Sequence, residues 1–336
     1  MIIDLDLGKN SYDIILERGA LERADKYLDL NRRVLIVTDD GVPSKYAEKI
    51  ASLSKAPTIV TVAQGEASKS FATLEVLCRR MLEAGFTRTD CVVAVGGGVV
   101  GDLAGFAASV FMRGIDFYNI PTTILSQVDS SIGGKVAINL DSIKNSVGAF
   151  HQPKRVIIDP LLLSTLPARQ ISNGLAEAVK MGLTSDAELF GLFESEGRLE
   201  DKLDLIIERS LRVKKSVVEV DEKENGLRRV LNFGHTVGHG IESEEGLGGL
   251  YHGECVALGM IPMCSSAVRE RLIPVLEKLS LPTALNCDTE RVLAAMGHDK
   301  KLSGSDITAV YVDEIGSFRF EKLPLEELKR RIREVL

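Results

Sequence analysis

The chain of 336 residues has no tryptophan, 10 prolines, 5 cysteines and 5 histidines. Cys78, Cys91, Cys255, Cys264 and Cys287 are an odd set, widely scattered, with no C-x-x-C pair. That excludes a disulfide framework and a zinc ribbon and fits reduced thiols in a cytoplasmic protein. No apolar run reaches the about 18 residues that a membrane span needs. Positive charge is not in excess: 41 Lys and Arg face 48 Asp and Glu, a net charge of −7, which argues against a general nucleic-acid binder. The opening Met1-Ile2-Ile3-Asp4-Leu5-Asp6 has no basic stretch followed by an apolar one, so no secretory leader is expected. What is present is ordinary for a soluble globular protein: 45% hydrophobic and 26% charged residues, in a length that suits roughly two domains of about 150 residues each.

The first half alternates short β-type runs with helical stretches. Arg33-Val34-Leu35-Ile36-Val37-Thr38, Thr58-Ile59-Val60-Thr61-Val62 and Cys91-Val92-Val93-Ala94-Val95 read as buried strands, with Phe117-Tyr118-Asn119-Ile120 and Val156-Ile157-Ile158 as further ones. Helical stretches fall at 44–53, 68–84 and 99–110. Such alternation predicts a mostly parallel sheet covered on both faces. Beyond Pro160 amphipathic helical stretches dominate, at 174–183, 187–194, 202–220, 234–244, 253–270 and 325–335. The stretch 306–320 is the exception and reads as a hairpin around Asp313-Glu314-Ile315-Gly316. The expected architecture is an α/β N-terminal Rossmann-like domain over residues 1–159, joined to a mainly α-helical C-terminal domain over 160–336, with the active site in the cleft between them.

Gly96-x-Gly98-x-x-Gly101 follows a strand and opens a helix, where backbone N–H groups can approach a pyrophosphate. It lies in the third strand–helix unit, so the ordinary dinucleotide-binding fingerprint does not transfer directly, and a plain Gly-rich turn stays open. Asp102 follows in the first turn. Gln64-Gly65-Glu66-Ala67-Ser68-Lys69 reads either as a loop with Ser68 as N-cap or as a nucleotide contact, with Glu66 on ribose hydroxyls and Lys69 on a phosphate or a carboxylate. The segment 121–145 gathers Gln127, Asp129, Ser130, Ser131, Gly133, Gly134, Lys135, Lys144 and Asn145. It is either solvated surface or an anion-binding loop.

The histidines are His151, His235, His239, His252 and His298. His235 and His239, four apart, share a helix face. His252-Gly253-Glu254 opens the next helix, and Glu177 precedes Lys180 by one turn in Leu175-Ala176-Glu177-Ala178-Val179-Lys180. One Glu and two His make a catalytic zinc set with an open position. The pattern is not H-E-x-x-H, since positions 236 and 237 are Thr and Val, so a metalloprotease is excluded. Lys214, Glu224, Arg228 and Asn232, in an otherwise helical stretch, favour a site over a packing pair.

Nine segments in order resemble the 3-dehydroquinate synthases, the NAD- and zinc-dependent cyclases of the shikimate pathway. They are Gly96-Gly97-Gly98-Val99-Val100-Gly101-Asp102, Arg113-Gly114, Pro121-Thr122-Thr123, Gln127-Val128-Asp129-Ser130-Ser131-Ile132-Gly133-Gly134-Lys135, Lys144-Asn145, Leu175-Ala176-Glu177-Ala178-Val179-Lys180, Leu231-Asn232-Phe233-Gly234-His235-Thr236-Val237-Gly238-His239, His252-Gly253-Glu254 and Asp299-Lys300-Lys301. The resemblance implies that Glu177, His235 and His252 bind Zn2+, with Co2+ as a substitute, and that His239 handles protons. It implies NAD contacts from Asp39, Glu66, Lys69, Gly97, Gly98, Asp102, Thr122, Thr123, Lys144 and Thr165. Substrate contacts are implied for Arg113, Asp129, Lys135, Asn145, Lys180, Lys214, Arg228, Asn232, His239 and Lys300 or Lys301. In Pro167-Ala168-Arg169-Gln170 the chain departs from the family, which has an acid where Gln170 stands; that touches a minor cofactor contact.

The implied activity is a phosphorus–oxygen lyase reaction of aromatic amino acid biosynthesis. A phosphorylated seven-carbon keto-sugar acid, 3-deoxy-D-arabino-heptulosonate 7-phosphate, becomes 3-dehydroquinate and phosphate. It proceeds by transient oxidation with NAD, phosphate elimination, re-reduction and intramolecular aldol closure. The carboxylate and phosphate of such a substrate call for the cations named above. A metal-dependent polyol or glycerol-type dehydrogenase shares the domain plan but would not need that set of cations; a sister sugar-phosphate cyclase is the other alternative. No nucleic acid or membrane partner is expected; the cysteine usage points to a cytoplasmic protein, and the resemblance implies a homodimer.

Overall fold

The computed structural model describes residues 1–141, 143–244, 249–285, 292 and 306–336. Cys287, His298, Lys300 and Lys301 lie outside the described residues. Two compact units divide the chain, Met1–Leu166 and Pro167–Leu336. The boundary expected at 159/160 falls short of this. The 3-10 turn Pro160–Thr165 is capped by Asp159, and its Leu162 packs into the core of the first unit, so the chain leaves that unit only after Leu166.

The first unit is a seven-stranded sheet. Its strands are β1 (Ile2–Leu5), β2 (Tyr12–Leu16), β3 (Arg33–Asp39), β4 (Ala56–Val62), β5 (Cys91–Gly96), β6 (Asp116–Pro121) and, after a separate hairpin of β7 (Lys135–Leu140) and β8 (Ile143–Phe150), β9 (Arg155–Ile158). The order is β1-β2-β9-β6-β5-β3-β4, parallel throughout except for β1 against β2. Every residue of β5, and every residue of β3 after Arg33, is buried, as a sheet covered on both faces requires.

Side chains alternate between two cores. Leu35, Val37, Val92, Ala94 and Phe117 pack with helices α2 (Phe71–Glu83) and α3 (Gly98–Val110), and with Val136 and Ile138 of β7. Val34, Ile36, Val93, Val95 and Ile120 pack with α1 (Ser44–Leu53) and the 3-10 segment Ala20–Lys26. The N-cap of α2 is Ser70, whose Oγ accepts from the Thr73 amide, and not Ser68, whose hydroxyl donates to the Ala63 carbonyl instead. Parallel pairing brings the ends of β3, β5 and β6 to one edge, so Asp39, Gly97 and Thr122 emerge there together.

The second unit is mainly helical: α4 (Ala168–Ser185), α5 (Ala187–Glu194), α6 (Leu199–Val220), α7 (His235–Glu244), α8 (His252–Met260), α9 (Ser266–Lys278) and α10 (Leu325–Val335). The hairpin of β10 (Asp306–Tyr311) and β11 (Arg319–Pro324) completes it. The helical stretch expected over 253–270 is broken. Pro262 lacks an amide hydrogen, and a 3-10 turn Ile261–Met263 separates α8 from α9 there. α4 is buried from Asn173 to Thr184, and α7 and α8 cross so closely that a Cβ on Gly259 would stand 2.0 Å from the Gly234 carbonyl oxygen. Among the described residues no helix is long and apolar enough to cross a membrane.

Candidate functional site

α4 carries Glu177 and Lys180 one turn apart on the same buried face, with exposures of 1% and 2%. The two form an ion pair, and Lys180 Nζ also donates to the Leu231 carbonyl at 2.6 Å. The Glu177 carboxylate is therefore buried between the Lys180 ammonium and two imidazoles, and among the described residues no main-chain donor reaches either oxygen. Burial alone would push its carboxyl up; the Lys180 ammonium, His235 and His252 outweigh that and hold it well below the usual range.

α7 begins at His235 and α8 at His252. Their Nε2 atoms lie 3.7 and 3.4 Å from Glu177 Oε1, and their ring centroids are 5.2 Å apart. Burial, with help from Lys180, drives His235 well below the ordinary imidazole value. Burial also acts to lower His252, but Glu177 and Glu242 on either side raise it to about 9. The donor atoms of Glu177, His235 and His252 lie within 4.8 Å of one another. Two nitrogens and one oxygen with room for a further ligand suit a zinc-like divalent cation. His239, one turn on from His235, places its ring centroid 5.3 Å from that of His235.

The start of α8 is fixed by packing that the sequence reading missed. The Gly253 amide donates to Asn173 Oδ1 at 2.6 Å, and a Cβ on Gly253 would fall 1.9 Å from the Asn173 carbonyl oxygen. Glu254 accepts from the Tyr251 amide at 2.7 Å and takes both arms of the Arg169 guanidinium at 2.7 and 2.8 Å. Arg169 lies in the Pro167-Ala168-Arg169-Gln170 segment, which therefore has a structural task beside any cofactor contact. Glu242 was missed as well, although its offset from His235 and His239 on a helix face was a readable signal.

Lys214, Arg228 and Asn232, also expected at the site, stand on two neighbouring elements. Arg228, 2% exposed, lies in the 3-10 turn Leu227–Asn232, its amide held by Asp221 Oδ2 at 2.9 Å and its guanidinium donating to the Glu222 carbonyl. Asn232 in the same turn donates to Glu224 Oε1 at 2.6 Å. Lys214 is buried on α6, which packs against this turn.

In the first unit a network joins four of the expected residues. Buried Lys69 reaches Asp102 Oδ2 at 2.7 Å, Glu66 Oε1 at 3.4 Å and Asn145 Oδ1. Asn139, not anticipated, bonds Glu66 Oε1 at 3.0 Å and receives the Asn145 amide at 2.8 Å. Gly97 and Gly98 form the turn into α3, whose N-terminus presents free amides of the kind that bind phosphate. Asp39 ends β3, its carboxyl raised by burial against the Gly41 and Val42 amides. The Thr122 amide donates to the Gly96 carbonyl at 2.9 Å, and Thr123 Oγ1 accepts from the Ser126 amide. Thr165 sits 3.3 Å from the Tyr46 hydroxyl. The other four stand on separate segments: Asp129 in the turn Ser126–Ser130, Lys135 and Lys144 on β7 and β8, and Arg113 in a left-handed backbone at φ 70°, rare for a non-glycine residue.

Residues 59–173 match the family model for the 3-dehydroquinate synthase N-terminal region, and residues 174–302 match that for the C-terminal region. A 3-dehydroquinate synthase of Streptococcus pneumoniae (strain ATCC 700669 / Spain 23F-1) is 43% identical across 98% of this chain and 99% of its own. Among solved structures, 2-deoxy-scyllo-inosose synthase complexed with carbaglucose-6-phosphate, NAD+ and Co2+ is similar at 27% identity, with a TM-score of 0.87 and full coverage of both chains. ValA, the 2-epi-5-epi-valiolone synthase of Streptomyces hygroscopicus subsp. jinggangensis 5008 with NAD+ and Zn2+ bound, is similar at 29% identity, a TM-score of 0.87 and 96% coverage of each chain.

Proposed function

This chain belongs to the 3-dehydroquinate synthase family, and from that premise we propose that it converts 3-deoxy-D-arabino-heptulosonate 7-phosphate into 3-dehydroquinate and phosphate with NAD and a divalent metal as resident cofactors. The observation that carries the reading is the Glu177, His235 and His252 cluster. A buried carboxylate faced by two imidazole nitrogens, all three donor atoms within 4.8 Å of one another, suits a cation. These three residues would hold Zn2+, with Co2+ as a substitute. Asp39, Glu66, Lys69, Gly97, Gly98, Asp102, Thr122, Thr123, Lys144 and Thr165 would hold NAD. When bound, the metal supplies Lewis acidity and NAD a reversible hydride acceptor, so the net change is loss of phosphate with ring closure.

The chain's own residues do the rest. The amides at the start of α3 and the Lys69 ammonium receive the dinucleotide phosphates. Lys180, Lys214 and Arg228, all buried, are assigned to the anionic groups of the substrate, with Arg113, Asp129, Lys135, Asn145, Asn232 and one of Lys300 and Lys301 completing its contacts. Buried cations grip an anion more strongly than exposed ones because less water screens them. Arg228 offers a planar fork, whereas the lysines act as point charges. Asn232, its amide tied to Glu224, keeps its oxygen for a hydroxyl proton, and a ring nitrogen of His239 takes or returns protons beside the metal ligands. Holding one conformer and excluding water serve the closing aldol step. We also read the protein as a cytoplasmic homodimer. Among the described residues Cys78, Cys91, Cys255 and Cys264 form no disulfide, which supports a reducing compartment, and the homodimer follows the family resemblance.

The test is direct. Purified protein with NAD, Zn2+ and the heptulosonate phosphate is expected to release phosphate and form 3-dehydroquinate. No release after metal reconstitution, together with net NADH accumulation on glycerol, overturns the reading in favour of a dehydrogenase. His235→Ala is expected to lose metal and activity while keeping NAD affinity; stoichiometric zinc in that variant refutes the ligand assignment.

A further inference from the structure

His235 and His252 turn the same ring atom, Nε2, toward Glu177. Each imidazole is held through its other nitrogen, and the acceptors differ in kind. His235 Nδ1 lies 3.1 Å from the carbonyl oxygen of Phe233, a neutral group two residues back along the same chain. His252 Nδ1 lies 3.4 Å from Glu242 Oε2, a charged group on a different helix. Glu242 stands about one turn beyond His239 and two turns beyond His235 on α7. The helix that supplies one imidazole therefore also reaches across to the second. An imidazole that binds a metal through one nitrogen carries its proton on the other, and the acceptor at that proton fixes the tautomer and the ring plane.

We propose that Glu242 is a positioning residue of the metal centre, its carboxylate holding the Nδ1–H of His252 so that Nε2 keeps its lone pair aimed at the ion. The inference rests on the reading of Glu177, His235 and His252 as metal ligands. A charged acceptor polarises the ring more than a carbonyl does, which makes His252 the stronger donor of the two imidazoles. His239, Glu242 and His252 are themselves close enough to enclose an ion. One imidazole cannot serve both groups, however, because a neutral ring has a single free lone pair and would have to lose its second proton to bridge two ions.

Full-length protein stripped of metal is titrated with Co2+ alone, followed by its visible absorption and by competition with a chromogenic chelator. The parent is expected to take one Co2+ per chain and His235→Ala none. No Co2+ in the parent, or no Co2+ lost in His235→Ala, overturns the ligand reading itself, independently of Glu242. With it satisfied, Glu242→Ala is expected to weaken Co2+ binding by about 10- to 100-fold and to alter the visible bands. Glu242→Gln, which keeps an acceptor of the same reach without the charge, is expected to fall between the two. Parent-like affinity and spectrum in either variant overturns the proposal; should the alanine variant lose its far-ultraviolet circular dichroism, the glutamine variant alone decides. Two Co2+ per chain in the parent, with the second lost in both Glu242→Ala and His239→Ala, also overturns it, because the trio is then a metal site in its own right.

Discussion

Gly253→Ala tests whether the metal ligands are placed by backbone packing. The new Cβ would meet the Asn173 carbonyl oxygen at 1.9 Å, against 3.4 Å where ordinary contact begins, so α8 and α4 must separate by about 1.5 Å. The opposing atom is main chain inside a buried helix and cannot swing aside. Overpacking of this kind costs about 1–3 kcal/mol. Loss of the Gly253 amide bond to Asn173 adds about 1 kcal/mol. A total near 3 kcal/mol lowers the unfolding midpoint of a unit this size by about 6–12 °C. The neighbouring residue is His252, and metal–ligand distances tolerate only about 0.2 Å, so a shift approaching 1.5 Å should also weaken metal binding severely. Gly191→Ala in α5 is the internal control: its Cβ meets nothing within 4 Å, and the change is expected to stabilise by about 0.5–1 kcal/mol. Calorimetry of the metal-free proteins and Co2+ titration of both variants decide the matter. If Gly253→Ala melts and binds Co2+ like Gly191→Ala, the packing argument is wrong.

Lys180→Met leaves the Glu177 carboxylate buried without its ammonium partner, and the metal-free protein is expected to lose about 3–5 kcal/mol. Saturating Zn2+ should recover most of that loss, so the metal-induced rise in melting point must be larger in the variant than in the parent; equal rises refute the pairing. Acid should unlock two further pairs. Burial pushes the Asp186 and Glu254 carboxyls up, but Arg209 and the Leu189 amide on Asp186, and Arg169 and the Tyr251 amide on Glu254, hold both below the usual range. The unfolded chain therefore takes up those protons more readily than the native one. Their stabilisation is complete above the unfolded carboxylate value of about 4 and drains away as pH falls through it toward the native values. Urea midpoints should show this contribution as flat between about pH 7 and 5 and falling below about 4. Asp186→Asn should start lower and fall less steeply; a parallel fall refutes the assignment.

The central strands were legible because β3 and β5 are continuous apolar runs, and burial on both faces leaves them no alternative composition. β8 was not: nearly all of its residues are exposed, so hydrophobicity carries no trace of it and only pairing with β7 makes it a strand. The helix broken at Pro262 misled for the opposite reason, since apolar spacing continues through a residue that cannot donate the hydrogen bond a helix needs. At the site, His235 and His239 announced themselves by a spacing of four. Glu177 lies far upstream; ligand chemistry, one Glu with two His, joined it to them, and the family resemblance then gave the set its members. The contacts that Asn173, Arg169 and Glu254 make between helices gave no signal, although the segments of Arg169 and Glu254 were noted for their family likeness, because local sequence does not encode such contacts.

The net charge of −7 is silent about the interior for a related physical reason. Lys69, Lys180, Lys214 and Arg228 are each at least 96% buried, where a lysine or arginine is ordinarily excluded by the loss of hydration. The partners of Lys69, Lys180 and Arg228 show how such charge is tolerated: a carboxylate for Lys69 and Lys180, and main-chain carbonyls for Lys180 and Arg228. Apolar residues of similar volume would have been no less stable at such positions, and often more so. Burial of this many cations is therefore better explained by what they bind than by what they hold together. A protein selected for stability alone would have little reason to keep the Lys180 ammonium and the Glu177 carboxylate facing each other among buried helices.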